Sequence, residues 1–100
     1  MSGEIFFEPA AQAELDEATF WYETREAGLG DEFKAEVFAV LDRVKQAPEQ
    51  FRHVGLTVRK VRLRRFSRYS IYYSVEPSRI GIVSIFHASR NPEELRRRLK

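Results

Sequence analysis

The chain has 100 residues and a formal net charge of +2, and this length predicts one domain built around a single core. It contains no cysteine, which excludes disulfide bonds and cysteine-based zinc or redox sites and agrees with a reducing compartment. It has no apolar run long enough to cross a membrane and no signal-peptide pattern, so we expect a cytoplasmic protein without a membrane partner.

Charge is divided unequally along the chain. The first 50 residues include 4 basic and 12 acidic residues, and the last 50 include 13 basic and 3 acidic residues, so their net charges are −8 and +10. A basic surface built by the second half would suit nucleic acid or an acidic protein as partner. The alternative is that the two halves neutralise each other in the folded protein.

The first half of the chain predicts a strand followed by two helices. The apolar run Ile5–Phe7 lies between a glycine and a proline, as in a short first strand. A helix then begins at Pro9 and ends near Gly28. Its apolar stripe consists of Ala11, Leu15, Ala18 and Tyr22. We expect Asp31 to cap a second helix that ends before Pro48, and two helices joined by so short a turn form an α-helical hairpin.

The second half predicts a loop, three strands and a short basic helix. Residues 48–57 include proline and glycine without apolar periodicity, which is typical of a loop. Along the next strand Val61 and Leu63 predict a core side, and the residues predicted to share the opposite side are Lys60, Arg62 and Arg64. Residues 79–87 are apolar on both faces, as in a central strand, and Asn91 is expected to cap the last helix. This order predicts an α+β fold, β-α-α-β-β-β with a short C-terminal helix, in which the helical hairpin packs on an antiparallel sheet.

The motifs of most cofactor-dependent enzymes are not found in this sequence. It has no phosphate-binding loop, dinucleotide fingerprint, paired-histidine zinc motif or nucleophile elbow, so we expect no bound cofactor. Neither His53 nor His87 has a cysteine or carboxylate near it in sequence, so we expect no metal site. His53 is interpreted as a loop residue. His87 ends a central strand, where it either completes a hydrogen bond or serves a functional site.

The basic strand suits two kinds of ligand. Together with the neighbouring tyrosines, its cations would bind RNA phosphates and stack bases, either for binding or for cleavage without a metal. They would suit an acidic partner peptide equally well, through charge pairing and strand addition. Because Tyr69 and Tyr73 share the face of Ile71, the apolar alternation favours core positions for these two tyrosines.

Several short motifs follow one another in a characteristic order along most of the chain. They are Pro9-Ala10-Ala11, Trp21-Tyr22-Glu23, Ala47-Pro48-Glu49, Arg64-Arg65-Phe66, Tyr69-Ser70-Ile71-Tyr72-Tyr73 and Ile85-Phe86-His87-Ala88-Ser89-Arg90-Asn91-Pro92. This ordered set resembles the RelE/ParE superfamily of bacterial type II toxins, and more closely its ParE branch. The resemblance implies one toxin domain over residues 1–100, a cognate ParD-like antitoxin that forms a hetero-oligomer with it, and DNA gyrase as the target.

The RelE branch of the same superfamily implies an alternative function, the metal-independent cleavage of mRNA on the ribosome. The catalytic candidates would then be Lys60, Arg62, Arg64 and Arg90 as cations, with His87 as proton donor. The sequence departs from the nuclease pattern, since the run 69–71 replaces an expected arginine. Leu95 and Arg96 also stand where a tyrosine is expected. These departures favour a gyrase inhibitor without catalytic residues, and a degenerate member that only binds its antitoxin is a third hypothesis.

The antitoxin is expected to contact both basic and apolar residues. The basic candidates are Arg62, Arg64 and Arg90, which would hold acidic side chains of the partner. The apolar candidates are Phe20 and Trp21, which lie off the stripe of the first helix, and Phe38 on the second. These three aromatic residues would either receive an amphipathic antitoxin helix or complete the core.

Overall fold

The computed structural model describes residues 4–99, and its elements confirm the predicted α+β class. Along the chain they are β1 (Glu4–Phe7), α1 (Pro9–Arg25), α2 (Leu29–Gln46), β2 (Arg52–His53), β3 (Val58–Arg62), β4 (Tyr69–Val75), β5 (Arg79–His87) and α3 (Pro92–Arg98). Within residues 4–99, no helix combines the length and the apolar character that crossing a bilayer requires.

The strands form one five-stranded sheet in the order β1-β5-β4-β3-β2. The ladder from β2 to β5 is antiparallel, whereas β1 pairs in parallel with β5. Two details differ from the prediction. Residues 48–57, predicted to be a loop, include the short strand β2, and the first strand pairs in parallel in a sheet that was predicted to be antiparallel. β5 is central and its residues 80–86 are all buried, as its apolar character on both faces predicted.

The helical hairpin covers one face of the sheet. The predicted stripe of α1 is buried at Ala11, Leu15 and Ala18, and it packs against α2 and the inner faces of β3, β4 and β5. Tyr73 is fully buried in this core, and its hydroxyl donates a hydrogen bond of 2.6 Å to the carbonyl of Pro48. Burial raises the pKa of Tyr73 to about 12. A satisfied hydroxyl allows a tyrosine to fill an apolar core, so the core position predicted for this residue is confirmed.

The turn between the helices is built differently from the prediction. Gly28 adopts a left-handed conformation with φ of 89° and precedes the first helical residue, Leu29, so α2 begins before Asp31. The side chain that accepts hydrogen bonds from the free backbone N–H groups at the start of α2 comes from α1. The carboxylate of Glu23 accepts hydrogen bonds from the backbone N–H groups of Gly28 and Gly30, at 2.9 and 3.0 Å. The predicted cap at Asp31 is therefore wrong, because the preceding helix already supplies the acceptor.

The opposite face of the sheet is covered in part by α3. Asn91 caps this helix as predicted, since its side chain accepts a hydrogen bond of 3.0 Å from the N–H of Glu93. Leu95 then packs into a second apolar cluster with residues of β3, β4 and β5, Val58, Tyr72, Val83 and Phe86. The sheet surface beside this cluster is open and carries the basic residues of β3.

Candidate functional site

β3 presents its cations on the open face of the sheet. Val61 packs into the core, so Lys60 and Arg62 on either side of it face away from the helices. There they pair with Tyr72 and Ser70 of β4. The alternation predicted for this strand is therefore confirmed for these two cations.

A groove of about 300 Å³ runs beside these residues, and we call it the basic groove. Its four cations are Lys60, Arg62, Arg68 and Arg90. No carboxylate and no histidine of the described chain lines it. Three of these cations, Lys60, Arg62 and Arg68, have no carboxylate partner among residues 4–99, so their like charges repel one another and an anionic ligand would relieve this repulsion.

Several basic residues of the second half are paired with carboxylates. The pairs are Arg65–Glu32, Arg79–Glu76, Arg96–Glu93, Arg90–Glu94, Arg90–Glu14 and Arg98–Glu14. By contrast, Lys60, Arg62 and Arg68 have no carboxylate within ion-pair distance among residues 4–99. Mutual neutralisation of the two halves is thus partial, since in the basic groove it reaches Arg90 but not Lys60, Arg62 or Arg68.

A buried carboxylate of α1, Glu14, anchors one wall of this groove. Its side chain is only 8% exposed. It accepts hydrogen bonds from the Ser84 hydroxyl at 2.9 Å, the Ile85 N–H at 3.0 Å, and the guanidinium groups of Arg98 at 2.8 Å and Arg90 at 2.6 Å. Burial by itself raises the pKa of Glu14, but the hydrogen bonds, that of Arg98 foremost, and the Arg98 charge outweigh it, so the pKa lies below its ordinary value.

Glu14 also determines where Arg90 lies. The Arg90 guanidinium bridges Glu14 and Glu94 and lies over the Phe86 ring, 5.1 Å from its centroid. Glu14 was not among the site residues predicted from the sequence. Its position in the sequence indicates burial, because Glu14 follows Ala11 by three residues and so falls on the apolar stripe of α1.

The structure separates Arg64 from the other predicted cations. β3 ends at Arg62, so Arg64 lies in the following turn, where Phe66 has a positive φ of 61°. The backbone N–H of Arg64 donates a hydrogen bond of 3.2 Å to Glu36 of α2, and its side chain does not line the basic groove. The prediction that Lys60, Arg62 and Arg64 share one strand face is therefore wrong for Arg64, since the regular strand stops two residues earlier.

A second groove, of about 550 Å³, lies between α1 and the adjoining ends of β4 and β5. We call it the aromatic groove, after Trp21, Tyr22, Tyr69 and His87 in its lining. His87 lines this groove and not the basic one, so the structure does not bring it together with Lys60 and Arg62. Burial, and then the charge of Arg68, lower the pKa of His87, which keeps the imidazole neutral near pH 7.

The three predicted aromatic contacts for a partner are all exposed. The exposed fractions are 71% for Phe20, 49% for Trp21 and 45% for Phe38, so these residues do not complete the core. They have different neighbours, since Trp21 lies under the guanidinium of Arg25, whereas Phe38 contacts Phe7. Exposed aromatic residues of this size are typical of protein interaction sites.

The arrangement is suited to binding anions and apolar side chains. Within residues 4–99, no group of three or more histidine and acidic residues is placed to hold a metal ion. The basic groove offers positive charge, the Ser67 and Ser70 hydroxyls, and Tyr72, which is only 9% exposed. Proton transfer requires a titratable group within reach of the reacting atoms, and the titratable groups of the lining include Lys60 and Tyr72 but no histidine or carboxylate.

A search of curated protein sequences found no significant match. Among solved structures, a chain from the chromosomal ParDE toxin–antitoxin system of P. aeruginosa shares the fold, with a TM-score of 0.75 and 18% identity over 87% of this chain and 97% of that one. A family model, that of the ParE toxin of the type II toxin–antitoxin system parDE, matches residues 5–92. Since the match covers most of the chain, this protein belongs to the ParE toxin family of type II toxin–antitoxin systems.

Proposed function

We propose that this chain acts as a toxin that inhibits DNA gyrase without being an enzyme, and that a ParD-like antitoxin neutralises it in a hetero-oligomer. Membership of the ParE toxin family supports the toxin and the antitoxin. The basic groove supports the non-enzymatic part of the proposal, because its lining has four cations but no histidine or carboxylate, the side chains that most often transfer protons near neutral pH. Such a groove is suited to binding an anionic surface.

The antitoxin is proposed to contact both charged and apolar residues of the toxin. Arg62 offers an unpaired charge in the basic groove, whereas Arg90 already pairs with two carboxylates and Arg64 lies outside the groove. The apolar contacts are Phe20, Trp21 and Phe38 on the helical hairpin. An acidic and amphipathic antitoxin segment matches this combination, with the aromatic residues as anchors.

A supercoiling assay tests the proposed target. Purified toxin, freed of antitoxin, is expected to inhibit gyrase supercoiling and to increase cleaved DNA at micromolar concentration. Addition of the antitoxin before gyrase is the control and should restore supercoiling. Full gyrase activity at micromolar concentrations of folded toxin would contradict the proposal.

A ribosome-dependent mRNA interferase is the second candidate, because unpaired cations in an open groove would also bind RNA phosphates. Primer extension on mRNA from induced cells distinguishes the two functions. Cleavage within codons that is lost in a folded Lys60→Ala, Arg62→Ala variant would favour the interferase. Normal growth of the host during expression without antitoxin would instead favour a degenerate, non-toxic member.

A further inference from the structure

The aromatic groove shares Trp21 with the proposed antitoxin contacts, but the rest of its lining has a distinct chemistry. Rings from α1, β4 and β5 meet there in edge-to-face geometry. The ring centroids lie 5.1 Å apart for Trp21 and Tyr22 and 4.8 Å apart for Tyr69 and His87. The Arg25 guanidinium, 4.2 Å from the Trp21 centroid, holds the exposed indole in place. The groove is therefore a preformed set of aromatic rings with room for a planar group.

The polar groups of the groove include strong donors and no carboxylate of the described chain. The Nδ1 atom of His87 accepts the backbone N–H of Ser89 at 3.0 Å, so in the neutral imidazole the proton is carried by Nε2. Arg68 adds a guanidinium that has no carboxylate partner among residues 4–99. A ligand that matches these groups combines a flat ring with an anion.

The position of Arg68 extends the aromatic groove toward the basic one. Arg68 and Arg90 line both grooves, so these two cations adjoin both the aromatic rings and the basic groove that holds Lys60 and Arg62. A row of cations beside aromatic rings is typical of sites for single-stranded nucleic acid, where bases stack and phosphates follow the cations.

Between β4 and β5 the backbone at this end of the sheet is already paired, so a peptide strand cannot insert between these two strands. The N–H of Ala88 donates a hydrogen bond of 2.7 Å to the carbonyl of Arg68, which closes the ladder between β4 and β5. Recognition in the groove must then rely on side chains, that is, on stacking and on contacts with guanidinium groups.

We propose that the aromatic groove binds a nucleobase together with its adjoining phosphate, with the base on the rings of Trp21 and Tyr69 and the phosphate on Arg68. The ligand chemistry is that of a nucleotide, supplied either free or within a single strand. The test of this site uses the purified toxin alone, so its result does not depend on the proposed inhibition of gyrase.

The fluorescence of Trp21 reports binding directly, because it is the one tryptophan of the chain. AMP and a single-stranded oligo(dA) are titrated into the purified protein, with excitation at the red edge of the indole band, where the bases do not absorb. We expect saturable quenching by a stacked base. Arg68→Ala should weaken binding of both probes about tenfold, the loss of one charge-assisted contact. The matched control is Arg97→Ala, at an exposed cation of α3 outside the lining of either groove.

The two probes also distinguish the two sources of the ligand. Equal affinity for AMP and oligo(dA) identifies a free nucleotide. Tighter binding of oligo(dA), reduced selectively by Lys60→Ala, identifies a strand that continues into the basic groove. Absence of saturable quenching by both probes overturns the proposal, as does an equal loss in Arg68→Ala and Arg97→Ala. Quenching only by an acidic, phenylalanine-containing peptide without tryptophan would reassign the groove to a protein partner.

Discussion

Glu14 and Arg98 satisfy the exposed edge of β5. β1 pairs only with Arg79–Ile82, so the remainder of that edge of β5 has no neighbouring strand. There the Glu14 carboxylate accepts the N–H of Ile85, and the Arg98 guanidinium donates to the carbonyl of Val83. A charged pair in this position satisfies the backbone groups and prevents another strand from pairing with them.

Replacement of Glu14 tests this role. Glu14→Gln keeps an acceptor for Ser84 and Ile85 but leaves Arg98 without its carboxylate partner. We expect the free energy of unfolding to fall by about 1–3 kcal/mol, because a charged hydrogen-bond network is broken at a buried position. Urea denaturation measures the change. Glu17→Gln, at an exposed position of the same helix, is the control and should change stability by less than about 0.5 kcal/mol.

The lowered pKa of Glu14 predicts how stability depends on pH. A carboxyl whose pKa is lower in the folded than in the unfolded state stabilises the fold fully above its ordinary value of 4.5. This contribution is lost as the pH falls through the lower, folded value. The difference in unfolding free energy between the wild type and Glu14→Gln should therefore shrink below about pH 4.5. A difference that stays constant in acid would show that the Glu14 charge does not stabilise the fold.

At the level of the helices, the α1–α2 hairpin depends on a close approach of backbone to backbone. A Cβ atom at Gly30 would lie 2.6 Å from the backbone carbonyl oxygen of Thr19 in α1. A Cβ atom at Gly28 would meet nothing within 4 Å, although its φ of +89° is unfavourable for other residues. The two glycines are thus required for different reasons, close helix packing at one position and backbone conformation at the other.

Alanine substitutions separate these two requirements. We expect Gly30→Ala to destabilise the protein by about 2–3 kcal/mol, because the backbone of α1 must move to accept the methyl group. We expect Gly28→Ala to cost about 1 kcal/mol, the strain of a left-handed alanine. Thermal unfolding of both variants shows which substitution lowers stability more. An equal or smaller loss at Gly30 would mean that the hairpin adjusts more easily than the packing indicates.

At the level of the whole molecule, the fold brings three cations without a carboxylate partner among residues 4–99 into one groove. Lys60 and Arg62 come from β3 and Arg68 from the turn before β4, and all three line the basic groove. Exposed helix cations such as Lys34 and Lys45 lie elsewhere, on α2. Position in the fold, and not net charge, therefore distinguishes the candidate binding residues.

Charge reversal tests whether the antitoxin uses the basic groove. We expect Lys60→Glu with Arg62→Glu to weaken antitoxin binding by more than about tenfold, since charge-assisted contacts become repulsive. The control pair Lys34→Glu with Lys45→Glu should have a much smaller effect, and both variants should remain folded. Isothermal titration calorimetry at two salt concentrations measures the losses. Equal losses of antitoxin affinity in the two pairs would mean that the antitoxin does not use the basic groove, which would then serve only the target of the toxin.

Much of the fold follows from local patterns in the chain. The apolar stripe of α1, the alternation at Val61 and the Asn91 cap each depend on residues within one or two turns or strand repeats, so their periodicity is visible in the sequence. The short strand β2 could not be recognised in this way, because two residues carry no period. The cap from Glu23 was missed for a similar reason, since a side chain from the preceding helix replaces the residue that local rules predict.

The candidate site depends far more on contacts between distant residues. The sequence determined which residues are basic, which strand face Lys60 and Arg62 occupy, and which aromatic residues lie off the helical stripe. Tertiary structure alone decided that β1 pairs with β5, that Glu14 is buried against Arg98, and that His87 lies apart from Lys60. These contacts join residues up to 84 positions apart in the sequence. They are stabilised by burial and pairing that exist only in the folded chain, so local sequence patterns do not predict them.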